Sequence, residues 1–218
     1  VRLGLEGDGP LRVLCLGAHC DDIEIGCGGT LLHLQEARPG LDIRWLVFCS
    51  DPRRAQEARE SAAGFLGAGA GERLTIHGFR DGFLPWQGDA AKEALEAAKA
   101  AVDPDLIFTH ARHDLHQDHR LVSDLTWQTF RRHLILEYEI PKWDGDLGTP
   151  NSYVPLEERH VARKAETLLK AYGSQRGKGW FDADLFRGLM RMRGVEAGAP
   201  SRFAEAFYAR KLILDPAA

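Results

Sequence analysis

Short apolar runs alternate with amphipathic stretches along the first half of the chain, and that alternation predicts the fold class. Residues 11–17 are nearly all apolar over the length of a strand, as are residues 43–49 and 106–109, with 74–77 a shorter candidate. Between them, residues 53–66 and 90–102 are rich in Ala, Glu, Lys and Arg, with small or apolar residues at helical spacing. Gly67 to Gly71 stops the first of these helices, and Asp103-Pro104 closes the second. After the first strand, Gly26-Cys27-Gly28-Gly29-Thr30 is expected to turn the chain into a helix ending near Ala37, ahead of Pro39-Gly40. Strand and helix in strict alternation imply right-handed crossovers. The fold class is therefore α/β, a Rossmann-like three-layer sandwich with a mainly parallel central sheet.

The second half reads less clearly. Residues 121–133 predict a helix, 134–140 a strand, 141–155 a polar loop holding Trp143 and Tyr153, and 157–171 another helix. Beyond them the chain carries many arginines, among them Arg176, Arg187, Arg191, Arg193, Arg202 and Arg210. The loop aromatics suit the wall of a pocket, and the arginines suit an acidic group on a substrate or ordinary surface ion pairs. With 218 residues, one well-buried domain spanning 1–218 is the expectation.

Charge narrows the function classes. Lys plus Arg number 28 against 32 for Asp plus Glu, a formal charge of −4. Nucleic-acid binding needs a concentrated basic face, so it is set aside. No apolar run approaches the ~20 residues that cross a bilayer. The start, Val1-Arg2-Leu3-Gly4, lacks the basic beginning and apolar core of a signal peptide. Cys15, Cys20, Cys27 and Cys49 form no Cys-x-x-Cys pair and read as free buried thiols of a cytoplasmic protein.

Two stretches carry the candidate chemistry. Gly17-Ala18-His19-Cys20-Asp21-Asp22-Ile23-Glu24 places an imidazole and three carboxylates directly after the first strand, and His116-Gln117-Asp118-His119 follows the strand at 106–109. Carboxylates crowded at a buried strand end cost several kcal/mol each unless paired or bound to a metal. In a parallel sheet, the crevice beyond the carboxyl ends of the strands is the ligand site, and there the two stretches can meet. His19 and Asp22, like His116 and His119, stand three residues apart and can face one ion. Two imidazoles and a carboxylate, with a position left for water, form the pattern of a catalytic zinc site. Asp21 need not be a ligand, which leaves it free to take a proton from the water.

These residues resemble the PIG-L/LmbE-like family of metal-dependent N-deacetylases. The resemblance rests on Ala-His-x-Asp-Asp-x-Glu, the Gly-Cys-Gly-Gly-Thr-Leu after it and the distant His-x-Asp-His. It extends to Arg54-Ala-Gln-Glu57, Asp81-Gly82-Phe83-Leu84 and Tyr172-Gly173-Ser174-Gln175. It implies that His19, Asp22 and His119 bind Zn2+, with another divalent ion such as Fe2+ also suited to the family. It implies further that Asp21 is the general base, and that His116, oriented by Asp118, stabilises the oxyanion or protonates the leaving amine. Arg54 and Asp81 would contact sugar hydroxyls. The implied reaction is removal of an acetyl group from an N-acetylglucosamine-type sugar in a glycoside or glycoconjugate precursor, and the family is compatible with a homo-oligomer. Cys20 departs from the family's usual Pro, which predicts a looser turn and a thiol near the metal open to oxidation or adventitious binding.

Other readings are weighed against this one. The glycine run at 26–29 invites a nucleotide-binding loop, hence a non-catalytic nucleotide- or metal-regulated binding protein, but Leu31 stands where the fingerprint needs Gly or Ala. His110 is expected to end a strand and His113 to lie in a loop, giving one metal site and not two. His33, His77, His133 and His160 lack sequence neighbours that would make them ligands.

Overall fold

A computed structural model describes residues 10–38 and 40–212 of the chain; the start at Val1 to Gly4 and the turn residue Pro39 lie outside them. Strand β1 (Arg12–Gly17) lies inside a sheet that has seven strands among the described residues. It pairs in parallel with β2 (Asp42–Cys49) on one side and β4 (Leu106–His110) on the other. The sheet extends through β3 (Leu74–Phe79) beyond β2 and β5 (Leu134–Tyr138) beyond β4, both parallel. It ends in β7 (Ala204–Tyr208) and β6 (Ser152–Pro155), for the spatial order β3-β2-β1-β4-β5-β7-β6, with β7 antiparallel to both its neighbours. The mixed α/β fold is thus the expected one. The β6 and β7 strands were hidden in what reads as loop and arginine-rich tail.

Alternate residues of each central strand enter separate cores. Val13 and Cys15 of β1, Ile43, Trp45 and Val47 of β2, and Phe108 of β4 face one layer; Leu14, Leu16, Leu46, Phe48 and Ile107 face the other. A strand buried on both faces loses its polar alternation, which is why these segments read as unbroken apolar runs. Helices α1 (Asp22–Ala37), α2 (Pro52–Leu66), α5 (Glu158–Ala171) and α6 (Ala183–Glu196) pack on one face. Helices α3 (Gly88–Ala101) and α4 (Gln117–Thr129) cover the other.

Two boundaries differ from expectation and matter for the site. The glycine run does not turn the chain; Gly26, Gly28 and Gly29 lie inside α1, which begins at Asp22. Each is small because a neighbour occupies its side-chain space. A Cβ on Gly26 would stand 2.2 Å from the Tyr138 ring, one on Gly28 2.8 Å from Phe65, and one on Gly29 2.6 Å from Leu156. A helix packed this closely has no loop in which to cradle phosphates, so the nucleotide-binding alternative loses its structural basis. Helix α4 likewise begins earlier than its apolar pattern suggests, because His116 caps it: the ring Nδ1 accepts the Asp118 N–H at 3.2 Å. His119 therefore sits in its first turn.

Candidate metal centre

The turn after β1 and the start of α4 converge at the switch point between β1 and β4, where the strand order reverses. His19 Nδ1 lies 3.1 Å from His119 Nε2 and 3.3 Å from Asp22 Oδ2, and that oxygen lies 3.6 Å from His119 Nε2. Three donors bound to zinc at 2.0–2.2 Å in tetrahedral geometry would be about 3.3–3.6 Å apart. Two of the three separations fall in that range and the third, 3.1 Å, is slightly shorter, so the triangle is close to the size a small divalent ion requires. His116 belongs to the same cluster, its ring 4.8 Å from that of His19 and 4.6 Å from that of His119.

Both imidazoles of the triangle are fixed through their other nitrogen. His119 Nδ1 lies 2.9 Å from Asp114 Oδ2, and His19 Nε2 lies 3.2 Å from Asp118 Oδ2 and 3.1 Å from Asp81 Oδ1. Carboxylates behind the ligating histidines are the usual outer shell of a metal site. Burial disfavours charge on His119 and pushes it down to about 3, assisted by His110, so the ring is neutral and its Nε2 lone pair free. Burial also opposes charge on His19, but Asp22, Asp118 and Asp81 outweigh it and hold this imidazole well above its ordinary value. So much negative charge around one ring suits a cation at the centre.

Asp118 does not orient His116 through its carboxylate. Its Oδ2 accepts the Gly82 N–H at 2.7 Å and its Oδ1 the Leu84 N–H at 3.1 Å, so it ties the 81–84 loop to His19. Only its backbone meets His116. Because Nδ1 of His116 accepts that N–H, the ring is neutral with its hydrogen on Nε2, in keeping with a burial-lowered pKa.

Asp21 precedes α1 as its N-cap, yet makes no capping bond. Its Oδ1 accepts from Arg54 Nη2 at 2.6 Å, while Oδ2 is buried without a partner. Burial pushes this carboxyl up, against the pull of Arg54. Arg54 and Asp81 both line the cleft that opens over the centre, a space of about 700 Å³.

Residues the sequence reading passed over complete the site. Asp114 is recognisable only through its bond to His119. His110 does end β4, but its ring stacks 3.9 Å from His119 and its Nε2 lies 3.2 Å from Asp22 Oδ2, so it braces the same centre. His113 lies in the following loop against Tyr208. Lys178 and Trp180 line the cleft beside Trp143, whereas Tyr153 sits on β6 with its hydroxyl on Pro150 O. None of the six arginines lines it: Arg187 pairs with Glu158, Arg193 with Glu139 and Glu196, and Arg210 with Glu137, while Arg176 donates to Leu169 O and Arg191 to Arg202 O. His133 meets Asp103 and His160 meets Glu36, partners distant in sequence, and neither His lines the cleft; nor do His33 and His77.

The expectation for Cys20 is corrected. All four cysteines are free and buried, and Cys20 Sγ points to Cys49 O at 3.6 Å within the core. Burial pushes its thiol up to about 12, so it is protonated, and Cys20 does not line the cleft over the donors. The turn is held by the Tyr172 hydroxyl, which reaches Cys20 O.

Comparison with known proteins bears on the family and the fold. Residues 14–130, more than half of the chain, match the family model PIG-L, described as GlcNAc-PI de-N-acetylase. No curated protein sequence matches. Among solved structures, the conserved protein TT1542 from Thermus thermophilus is 22% identical with a TM-score of 0.72, over 95% of this chain and 99% of that one. The N,N'-diacetylchitobiose deacetylase from Pyrococcus horikoshii is 21% identical at 0.64, over 90% and 82%. GalB, the 4-carboxy-2-hydroxymuconate hydratase from Pseudomonas putida, is 14% identical at 0.74, over 95% and 99%. At these identities the likeness establishes the fold alone. Among the described residues, no helix is long and apolar enough to cross a membrane.

Proposed function

The chain belongs to the PIG-L family of GlcNAc-PI de-N-acetylases, and from that membership and the geometry of its centre we propose that it is a metal-dependent N-deacetylase. Its substrate on this reading is an N-acetylglucosamine-type sugar within a glycoside or glycoconjugate precursor, and its ion Zn2+, with Fe2+ suited to the same donors. A single domain would carry the activity. Four free buried cysteines support a reducing, cytoplasmic setting.

One observation carries the proposal: the His19, Asp22 and His119 donors form a triangle with sides of 3.1, 3.3 and 3.6 Å beside the unpartnered Oδ2 of Asp21. His19, Asp22 and His119 would hold the ion, which when bound supplies a Lewis acid that acidifies water and polarises the acetamide carbonyl. Asp21 takes the proton of the attacking water on Oδ2, the oxygen Arg54 leaves free. His116 is neutral and presents Nε2–H, so it donates a hydrogen bond to the carbonyl oxygen as charge builds there. A ring whose Nδ1 already accepts a backbone N–H is poorly placed to act as the acid. Asp21 then returns the proton to the amine nitrogen as the C–N bond breaks, giving acetate and a free amine. Asp81, Trp143 and Trp180 would form the walls that meet the sugar, with Arg54 above the base.

The deciding experiment is an amine- and acetate-release screen with metal-reconstituted protein over N-acetylated sugars, their glycosides and nucleotide sugars. Stoichiometric acetate and primary amine from at least one substrate, abolished by chelation and restored by metal, is the expected result. Binding without release across the panel would overturn it in favour of a binding function.

A further inference from the structure

Arg54 is engaged at both terminal nitrogens before any substrate arrives. Beyond the bond from Nη2 to Asp21, its Nη1 lies 3.3 Å from both Glu57 Oε2 and Ser174 Oγ, and its guanidinium carbon lies 5.0 Å from the centre of the Tyr172 ring. The two groups beneath Nη1 are themselves locked together. Glu57 Oε1 accepts the Ser174 N–H at 2.8 Å and Oε2 accepts the Ser174 hydroxyl at 2.5 Å, while Gln175 Nε2 donates to Ser174 Oγ at 2.8 Å. Glu57 comes from α2, and Ser174 from the single 3-10 turn Gly173–Gln175 that follows α5.

This bracing decides where the Asp21 carboxylate sits. Asp21 stands just before α1 with φ −105° and ψ −7°, helical values that keep its side chain from capping the first turn, so Oδ1 is held by Arg54 alone while Oδ2 has no partner. An arginine with four free torsions would hold it only part of the time; an arginine fixed at its other nitrogen holds it continuously. We propose that Glu57 and Ser174 are positioning residues for Asp21, acting through Arg54, which fix Oδ1 of its carboxylate and so leave Oδ2 available to the metal centre. The inference rests on the reading of Asp21 as the base. It gives Arg54 a duty toward the protein's own machinery in place of one toward sugar hydroxyls alone, and it gives a task to two chain segments that contribute no ligand.

Ser174→Ala, Ser174→Thr, Arg54→Ala and the Ser174→Ala/Arg54→Ala double variant, all metal-loaded, test it. Ser174→Ala is expected to keep its metal and a KM within about twofold while kcat falls about tenfold or more; Ser174→Thr, which retains the hydroxyl, restores kcat. Because the serine acts through the arginine, adding Ser174→Ala to Arg54→Ala should change kcat by less than about twofold. A rise in KM with kcat intact, or effects that multiply in the double variant, would overturn the proposal. Should Ser174→Ala fail to fold, recovery of kcat in Arg54→Ala on adding guanidinium ion supports the arrangement, and no recovery counts against it. A crystal structure of Ser174→Ala decides the geometry without turnover. An Asp21 carboxylate displaced from its wild-type position supports the brace, an unmoved one refutes it, and either result stands even if no substrate of the wild-type protein yields an amine.

Discussion

Asp114 Oδ2 stands 2.9 Å from His119 Nδ1, and the other oxygen of the same carboxylate is held from two directions, by the His116 N–H at 2.8 Å and by Lys142 Nζ at 3.0 Å. Two groups thus fix the carboxylate that fixes the imidazole. With its Nδ1 hydrogen committed to Asp114, His119 has one tautomer and presents Nε2 to the centre. Asp114→Ala is therefore expected to weaken metal binding by about 10–100-fold, read by competition with a chelator of known affinity. Activity should return when the metal concentration is raised. Unchanged affinity would mean that His119 is oriented by its packing against His110 instead.

Asp21 and Asp22 are neighbours with different duties, and a substitution separates them. Asp22 faces three imidazoles, whereas Asp21 pairs with Arg54 through one oxygen and keeps the other buried without a partner. Asp21→Ala should leave metal content near that of wild type while kcat falls by about 10²–10⁴-fold. Metal analysis and amine release on one sample check both halves. Retained turnover in a metal-replete sample would remove Asp21 from the role of base.

How much of this was legible in the sequence depends on the distance over which each residue works. That the His19 to Asp22 turn and the pair at 116 and 119 come together was readable, because both stretches set polar residues at short spacing directly after buried parallel strands. Asp114 was not, since its value lies in one ring nitrogen five residues away. Lys142 was equally silent, a single charge in a polar loop. The glycines of α1 gave a turn signal because glycine normally breaks helices; only Tyr138, Phe65 and Leu156, brought in by β5 and by the helix-packed layer, reveal that their role is close approach. Strands β6 and β7 pair with each other from opposite ends of the last third of the chain. Strands of four and five residues such as these lack the long apolar runs that announce the central ones.

The same glycines supply a stability prediction. Tyr138 is fully buried, its hydroxyl donating to Leu16 O at 2.6 Å, so its ring has little freedom to yield to a methyl group at position 26. Gly26→Ala should cost about 1–3 kcal/mol or more through overpacking, despite the better helix propensity of alanine. Urea denaturation of the metal-free proteins measures it. Gly71→Ala, where a Cβ meets nothing within 4 Å, is the matched control and should stay within about 0.5 kcal/mol.

Glu24 carries the clearest dependence on pH. It is fully buried, and burial pushes its carboxyl up to about 8 against the nearby hydroxyls of Ser61 and Tyr172. The hydrogen-bond geometry reaches the same conclusion independently. The Tyr172 hydroxyl contacts both Cys20 O and Glu24 Oε1, and it has one hydrogen to give. Both contacts are satisfied when Tyr172 donates to Cys20 O and a protonated Glu24 donates to the tyrosine oxygen. Between the ordinary value of 4.5 and about 8, the folded chain therefore holds a proton that the unfolded chain has released. Stability falls as pH rises through that window, by at most about 1.4 kcal/mol per pH unit, and the fall levels off above it. Glu24→Gln is neutral in both states and should lack this slope. Denaturation curves for the two proteins from pH 5 to 9, with chelator present so that metal release does not contribute, are expected to diverge as pH rises, the wild type losing ground. Parallel curves would place the charge on Glu24 in the folded protein at neutral pH and leave the Tyr172 hydroxyl facing two acceptors.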